Sequence, residues 1–187
     1  IVAEACLSYE LAHLLPSFLP SLSTSTRAPF HLFYMNEKQI GTLNELEITL
    51  PYGFTFDESP LSDDDAAHIA DTSDATLSAE AAGARSRDFP FVAIRDAAGA
   101  LVTHELSSPT SGLSHLYTAP DFRRQGLASS AELALAQKTV QQGNTPFKGV
   151  SVYNASRHRS SEESPFWTML NRNGTPVEIV HEEFKRQ

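Results

Sequence analysis

The chain has one cysteine, Cys6, among its 187 residues. No internal disulfide can form, which excludes the cross-linked scaffold of small secreted domains and fits a reducing, intracellular compartment. Cations are scarce: Lys plus Arg number 14 against 23 Asp plus Glu, for a formal charge of −9. An acidic body repels phosphate backbones, so nucleic acid is not an expected partner, although a small anion can still bind where positive charge is locally concentrated. No apolar run reaches the length of a membrane span, and the opening IVAEACLSYELAHLLPSFLP lacks the basic flank and cleavage pattern of a signal peptide. Neither G-x-x-x-x-G-K-[ST] nor G-x-G-x-x-G occurs, so a phosphate-loop nucleotide site and a doubly wound dinucleotide site both lack support.

What is present is ordinary globular material, 41% hydrophobic and 20% charged. Leu7, Leu11, Leu14 and Leu15 are spaced for one face of a helix over 4–15. Pro16, Pro20 and the run SLSTSTRAP then break regular structure. HLFYM reads as a strand, Asn36 as the cap of a short helix running to about Glu47, and LPYGF at 50–54 as a turn-rich boundary. Phe54 and Phe56 alternate as in a strand. Ser62 followed by Asp63, Asp64 and Asp65 marks a helix start rather than a metal site, because consecutive helical residues point in different directions.

FPFVAIRDAAGALVTHELSS reads as strand, turn and strand, and GLSHLYT as a third strand, giving an antiparallel meander. A helix follows to about Gln142, stopped by Gly143, with Leu133, Ala136 and Val140 facing the core. KGVSVYN and VEIVHEEF are further strands, joined by a Ser/Arg/Glu-rich connection and the aromatic SPFWTML. The order predicts a mixed α+β sheet flanked by helices.

One junction carries unusual chemistry. In TAPDFRRQGLASSAEL, residues 118–133, a strand hands over to a helix near Gly126. A helix start leaves N–H groups unpaired and carries partial positive charge. Gly126 admits close backbone approach, Ala128 keeps the next turn small, and Arg123 and Arg124 add cationic donors. The place suits a diphosphate; the competing account is a tight turn relaxed by glycine beside solvated arginines.

LYTAPDFRRQGLA resembles the acyl-CoA-binding signature of GNAT-type N-acyltransferases, R/Q-x-x-G-x-G/A, with Arg123, Gly126 and Ala128 at its defined positions. HLFYMNEKQ, LPYGFTFDE, GALVTHEL, TPFKGVSVYN and SPFWT also fall in the order found in the glycine N-acyltransferase-like family, especially its nematode-type members. This resemblance implies a GNAT-like, mostly antiparallel sheet with a splayed strand pair that binds acyl-CoA. It also implies transfer of an acyl group from acetyl-CoA or a longer acyl-CoA to the amine of glycine or another small amino acid, without a metal. Residues 1–49 would be the remnant of an N-terminal region, which agrees with Ile1 standing in place of methionine, and 50–187 the catalytic domain. Cytoplasm or mitochondrion would be the compartment. Two alternatives remain open: an acyl-CoA-binding module without turnover, and an acyltransferase acting on protein amines.

On this resemblance Leu116, Tyr117 and Thr118 would pair with pantetheine, and Arg123, Arg124, Gln125, Gly126, Leu127 and Ala128 would hold the diphosphate. The amine can attack the thioester directly, so the enzyme must accept a proton, hold the oxyanion and help the thiolate leave. The family's glutamate base falls at about Gly112, and SGLSHLYT has no carboxylate. Each substitute has a structural competitor. His115 is either a base turned in by a bulge or a partly exposed structural histidine, with strand alternation placing it opposite residues 112, 114 and 116. Glu105 either reaches the cleft or is a surface carboxylate. Asn154 lines the cleft or ends a strand, and Tyr153 protonates the thiolate or packs in the core. Phe166 and Trp167 pack, or wall the acyl pocket.

Overall fold

The computed structural model describes residues 2–8, 22–26, 29–73 and 77–186. Its elements begin with β1 (Val2–Ser8), β2 (Leu22–Thr26), β3 (Phe30–Tyr34), α1 (Glu37–Asn44), β4 (Phe54–Asp57), α2 (Asp63–Thr72) and α3 (Ala79–Asp88). There follow β5 (Phe91–Asp96), β6 (Leu101–Ser107), β7 (Leu113–Thr118), a 3-10 turn at Pro120–Phe122, α4 (Leu127–Gln141) and β8 (Phe147–Ser151). The chain closes with α5 (Ala155–Glu162), β9 (Thr168–Met169), β10 (Asn171–Arg172), β11 (Thr175–Pro176) and β12 (Glu178–Arg186). These elements form two compact units, Glu37–Phe147 and Ile1–Asn36 with Lys148–Gln187.

Within Glu37–Phe147, β4, β5, β6 and β7 form the antiparallel meander that the alternating apolar runs predict. Its β5–β6 turn is tightened by Asp96, whose Oδ1 accepts from the amides of Ala98 and Ala100, both at 2.9 Å. Phe91, Ala93 and Leu106 face Leu61, Ala66, Ile69, Leu77 and Ala82, so α2 and α3 cover one side of the sheet. Val92 and Ile94 alternate with that set and are also buried. On their side α4 packs against β5, β6 and β7.

The buried stripe of α4 is Leu127, Ala131, Leu135 and Thr139, four residues apart, with Ala136 beside it. Leu133 and Val140 are only half-buried. The expected core face was therefore displaced by part of a turn, because nearly all of α4's side chains are small or aliphatic and the sequence marks no single apolar stripe.

Ser62 caps α2 as predicted. Its Oγ accepts from the Asp65 amide at 3.1 Å, and the Asp65 carboxylate accepts from the Ser62 amide at 3.1 Å. Asp65 also accepts from Arg95 at 2.8 and 3.1 Å, and Arg95 Nε donates to Asp57 at 2.6 Å. One guanidinium thus ties α2 and β4 to β5.

In the unit of Ile1–Asn36 and Lys148–Gln187, β12 pairs antiparallel with β1 on one edge. Its other edge pairs with β3 at Glu178 and Ile179 and with β2 from Glu182 to Arg186. β10 and β11 form a hairpin whose Asn173 and Gly174 take φ of 52° and 81°, the Asn-Gly turn that suits a two-residue loop.

Three local expectations are corrected here. Residues 4–8 lie in strand β1 rather than a helix: ladder partners on β12 override a leucine spacing that is equally compatible with a helix. Residues 9–15 of that predicted helix lie outside the described residues. Leu22–Thr26, expected to be irregular, is a strand paired with β12, consistent with its β-branched threonines. The Ser/Arg/Glu-rich connection contains helix α5, capped by Asn154. No helix among the described residues is long and apolar enough to cross a membrane.

Candidate functional site

The meander's last strand is irregular where the chemistry was expected. β6 and β7 pair His104 with Tyr117 and Thr103 with Thr118, but the next partner of Leu106 is Ser114. His115 and Leu116 together oppose Glu105, so β7 carries one extra residue. His115 absorbs it with φ of 56°, rare for a side-chain-bearing residue. The bulge resets the alternation: Ser114 and Tyr117 share the face of Leu106 and His104, contrary to the simple odd–even assignment made from sequence. The ladder is interrupted at Leu116, within the segment expected to pair with pantetheine.

Beyond the bulge the chain is held tightly. Thr103 Oγ1 donates to Thr118 Oγ1 at 3.1 Å, and the Ala119 amide donates to the Val102 carbonyl at 2.9 Å. Pro120 opens the 3-10 turn, whose Phe122 stacks edge-on with Phe54 at 5.8 Å. Arg123 Nε donates to the Thr118 carbonyl at 2.9 Å, and its guanidinium lies 5.9 Å from the centre of the Tyr117 ring. Arg124 and Gly126 both adopt left-handed backbone, φ 64° and 84°.

Gly126 is the N-cap of α4 and offers no side chain to its free amides. The first intrahelical bond recorded runs from Ser130 N–H to Gly126 O at 3.0 Å. Among the described residues, no hydrogen bond from the amides of Arg124 to Ser129 is recorded. Leu127 is buried and anchors the helix start, whereas Arg123, Arg124, Gln125 and Gly126 are exposed and Ala128 is half-buried. The arrangement is an exposed concentration of N–H donors, helix-dipole charge and two cations on an acidic protein, suited to an anion.

The other sequence-derived candidates are distributed differently. Glu105 is 1% exposed, so it is not a surface carboxylate. Strand alternation puts it on the side where α4 packs, away from His104. Asn154 spends its Oδ1 on the Arg157 amide at 3.0 Å, capping α5. Tyr153 is 79% exposed and not a core residue. Both lie in the unit containing β8 rather than in the one containing β7. Trp167 is buried, with Lys148 Nζ 4.2 Å from its ring centre, while Phe166 is half-buried.

Gly112 has a steric reason to lack a carboxylate. A Cβ built there would stand 2.7 Å from the Phe147 ring.

Sequence inspection missed a histidine cluster. His104, 1% exposed, stacks on Tyr117 with centroids 5.5 Å apart and planes at 26°. His68 of α2 stands edge-on to both rings, 6.3 Å from His104 and 6.0 Å from Tyr117. Both ring nitrogens of His104 and the Nε2 of His68 are buried with no hydrogen-bond partner. Burial first, then the neighbouring His68 and His115, push the His104 imidazole down to about 3. The signal was available in AHIA and VTHEL, two histidines at apolar-face positions, but only the fold brings them together. Among the described residues, no group of three or more His, Cys, Asp or Glu side chains is placed to hold a metal ion.

The FR47-like protein family model matches residues 92–160, the span from β5 through the Arg123–Gly126 junction to α5. No curated protein matches the chain in sequence. Among solved structures, a Drosophila protein is similar over 98% of this chain at 15% identity with a TM-score of 0.73. An acetyltransferase of the GNAT family from Colwellia psychrerythraea is similar over 97% at 16% identity with a TM-score of 0.61; this chain covers 65% of it. A GCN5-related N-acetyltransferase from Kribbella flavida is similar over 98% at 17% identity with a TM-score of 0.57, with 68% of its length covered. This chain spans 61% of the Drosophila protein, less than two thirds of its length. The fold is therefore a mixed α+β, mostly antiparallel GNAT-type fold flanked by helices.

Proposed function

We propose that this chain carries an acyl-CoA-dependent N-acyltransferase site that transfers an acyl group to the amine of glycine or another small amino acid. Residues 50–187 make up the catalytic region in this reading. The observation that carries it is the junction: a bulged strand ending in Thr118, then Arg123 and Arg124, then Gly126 opening α4 with a row of amides that have no recorded partner. The diphosphate of coenzyme A matches the charge and donor geometry of Arg123, Arg124, Gln125, Gly126, Leu127 and Ala128. The pantetheine amides match the main chain of Leu116, where the β6–β7 ladder is interrupted, and of Tyr117 and Thr118 beside it.

In the reaction, the free amine attacks the thioester carbonyl, a C–N bond forms, the C–S bond breaks and the thiolate leaves with a proton. The GNAT-type fold and the resemblance of LYTAPDFRRQGLA support the donor half. The glycine N-acyltransferase-like resemblance alone supports the acceptor. His115, at the bulge, is the side chain proposed nearest the reacting centre; Glu105, Asn154 and Tyr153 hold lesser claims after their placements above.

A second reading, an acyl-CoA-binding module without turnover, is favoured by one observation: Gly112 stands where the family's glutamate would, and a Cβ there would crowd the Phe147 ring at 2.7 Å. Incubation with acetyl-CoA or benzoyl-CoA and a panel of amino acids, following free thiol, separates the two. Amine-dependent thiol release supports the enzyme. Saturable acyl-CoA binding with no amine-dependent release defeats it.

A further inference from the structure

We propose that His104 and His68, packed with Tyr117, form the buried site that receives the acceptor's amine and holds it in its uncharged, nucleophilic form. The inference rests on the acyl-transfer reading and assigns it an acceptor site.

Buried polar atoms nearly always have hydrogen-bond partners. Here three imidazole nitrogens, His104 Nδ1, His104 Nε2 and His68 Nε2, are buried without one. Two belong to a side chain only 1% exposed. A neutral imidazole offers one N–H and one bare nitrogen, the complement of a free primary amine, which has a lone pair and two N–H groups. The position is also apt, because Tyr117 belongs both to the cluster and to the strand assigned to the acyl donor.

His104 resists positive charge. The charged and titratable groups around His104 are His68 on α2, His115 and Tyr117 on β7, and Arg123, whose guanidinium is 5.9 Å from the Tyr117 ring. Across the ladder on β5 stands Ala93, which carries no charge. Among the described residues, the side chains that shift His104 are imidazoles, not carboxylates. Burial and the adjacent imidazoles that disfavour an imidazolium also disfavour an ammonium at the same place. An amine entering would shed its proton to solvent and arrive ready to attack, so a strong carboxylate base on β7 is unnecessary. That accounts for a strand, SGLSHLY, without one.

The test follows histidine ring ¹⁵N signals of the whole chain with CoA present, adding glycine as the probe amine at pH 6 and pH 9. We expect the His68 and His104 signals to move at pH 9 and to stay still at pH 6. No movement at either pH, or equal movement at both, overturns the proposal. With acetyl-CoA, His104→Phe and the half-buried His68→Phe should each lower kcat/KM for glycine about tenfold to a hundredfold, the loss expected for a buried hydrogen bond, without changing the acetyl-CoA Kd. Full activity in either folded variant also overturns it. Failure of the unaltered protein to bind acetyl-CoA would refute the acyl-transfer reading instead, while the glycine titration repeated without CoA still decides the amine site.

Discussion

Arg123 folds back onto the strand that precedes it, its Nε donating to the Thr118 carbonyl at 2.9 Å. This bond fixes the side chain, yet the N–H groups on its two Nη atoms have no recorded partner among the described residues. A guanidinium held in place with donors to spare is pre-organised for an anion.

Arg123→Ala should weaken acetyl-CoA binding about tenfold to a hundredfold, the range for a charge-assisted hydrogen bond. Arg123→Lys should recover only part of it, because an ammonium lacks the fork that reaches Thr118 and an anion together. Titration calorimetry of the three proteins checks the order. Arg124, which has no such anchor, should contribute a part that fades more steeply with added salt.

The Asp65–Arg95 pairing predicts a stability effect remote from the site. Its hydrogen bonds from Arg95, then those from Ser62, hold the Asp65 carboxyl down at about 2, and Arg95 lowers Asp57 as well. Asp65→Ala removes the capping box and both bonds to Arg95, and should cost about 2–4 kcal/mol in a denaturant titration. The native carboxylate's contribution is present above the unfolded value near 4 and is lost as pH falls through about 2.

His104 predicts acid sensitivity at higher pH. Its folded-state value of about 3 lies below the ordinary imidazole value of 6.5. The unfolded chain therefore binds a proton that the folded chain refuses. Stability is complete above about 6.5 and declines as pH falls toward 3, by about 1.4 kcal/mol per unit between those limits. His31, lowered by burial and then by His158, adds a smaller decline of the same sign. In His104→Phe the slope of denaturation midpoint against pH over this window should flatten; an unchanged slope would count against the assignment.

Phe147 predicts that the missing carboxylate cannot simply be restored. Gly112→Glu should destabilise the protein by about 1–3 kcal/mol through overpacking against the ring and should not raise turnover. Relieving the contact with Phe147→Ala in the same chain should recover part of the stability, measured as a thermal midpoint.

The meander, the capped start of α2 and the helix after Gly126 were legible because each is marked locally: alternation at Phe54 and Phe56, Ser62 before three aspartates, a glycine before a long aliphatic run. β1 was not, since VAEACLS becomes a strand only through β12, far along the chain. The candidate residues of the proposed donor half could be named from sequence because they lie in one contiguous run. The histidine cluster was not legible: His68 and His104 are 36 residues apart in number, and they meet only because α2 covers the sheet face that bears Ala93 and Leu106. A bulge at His115 was one of two readings left open, since a bulge leaves no mark in composition, and the exposure of Tyr153 was hidden because an aromatic at a strand end has no sign of its own for inside or outside.

The most direct test of the account is titration of acetyl-CoA into the unaltered protein and into the Arg123→Ala, Gly126→Asp double variant. The account predicts saturable binding that weakens at least about a hundredfold in a variant still folded by circular dichroism, since it removes one fixed cation and places a carboxylate among the free amides. Equal affinity in the folded variant, or no binding to the unaltered protein, would contradict it.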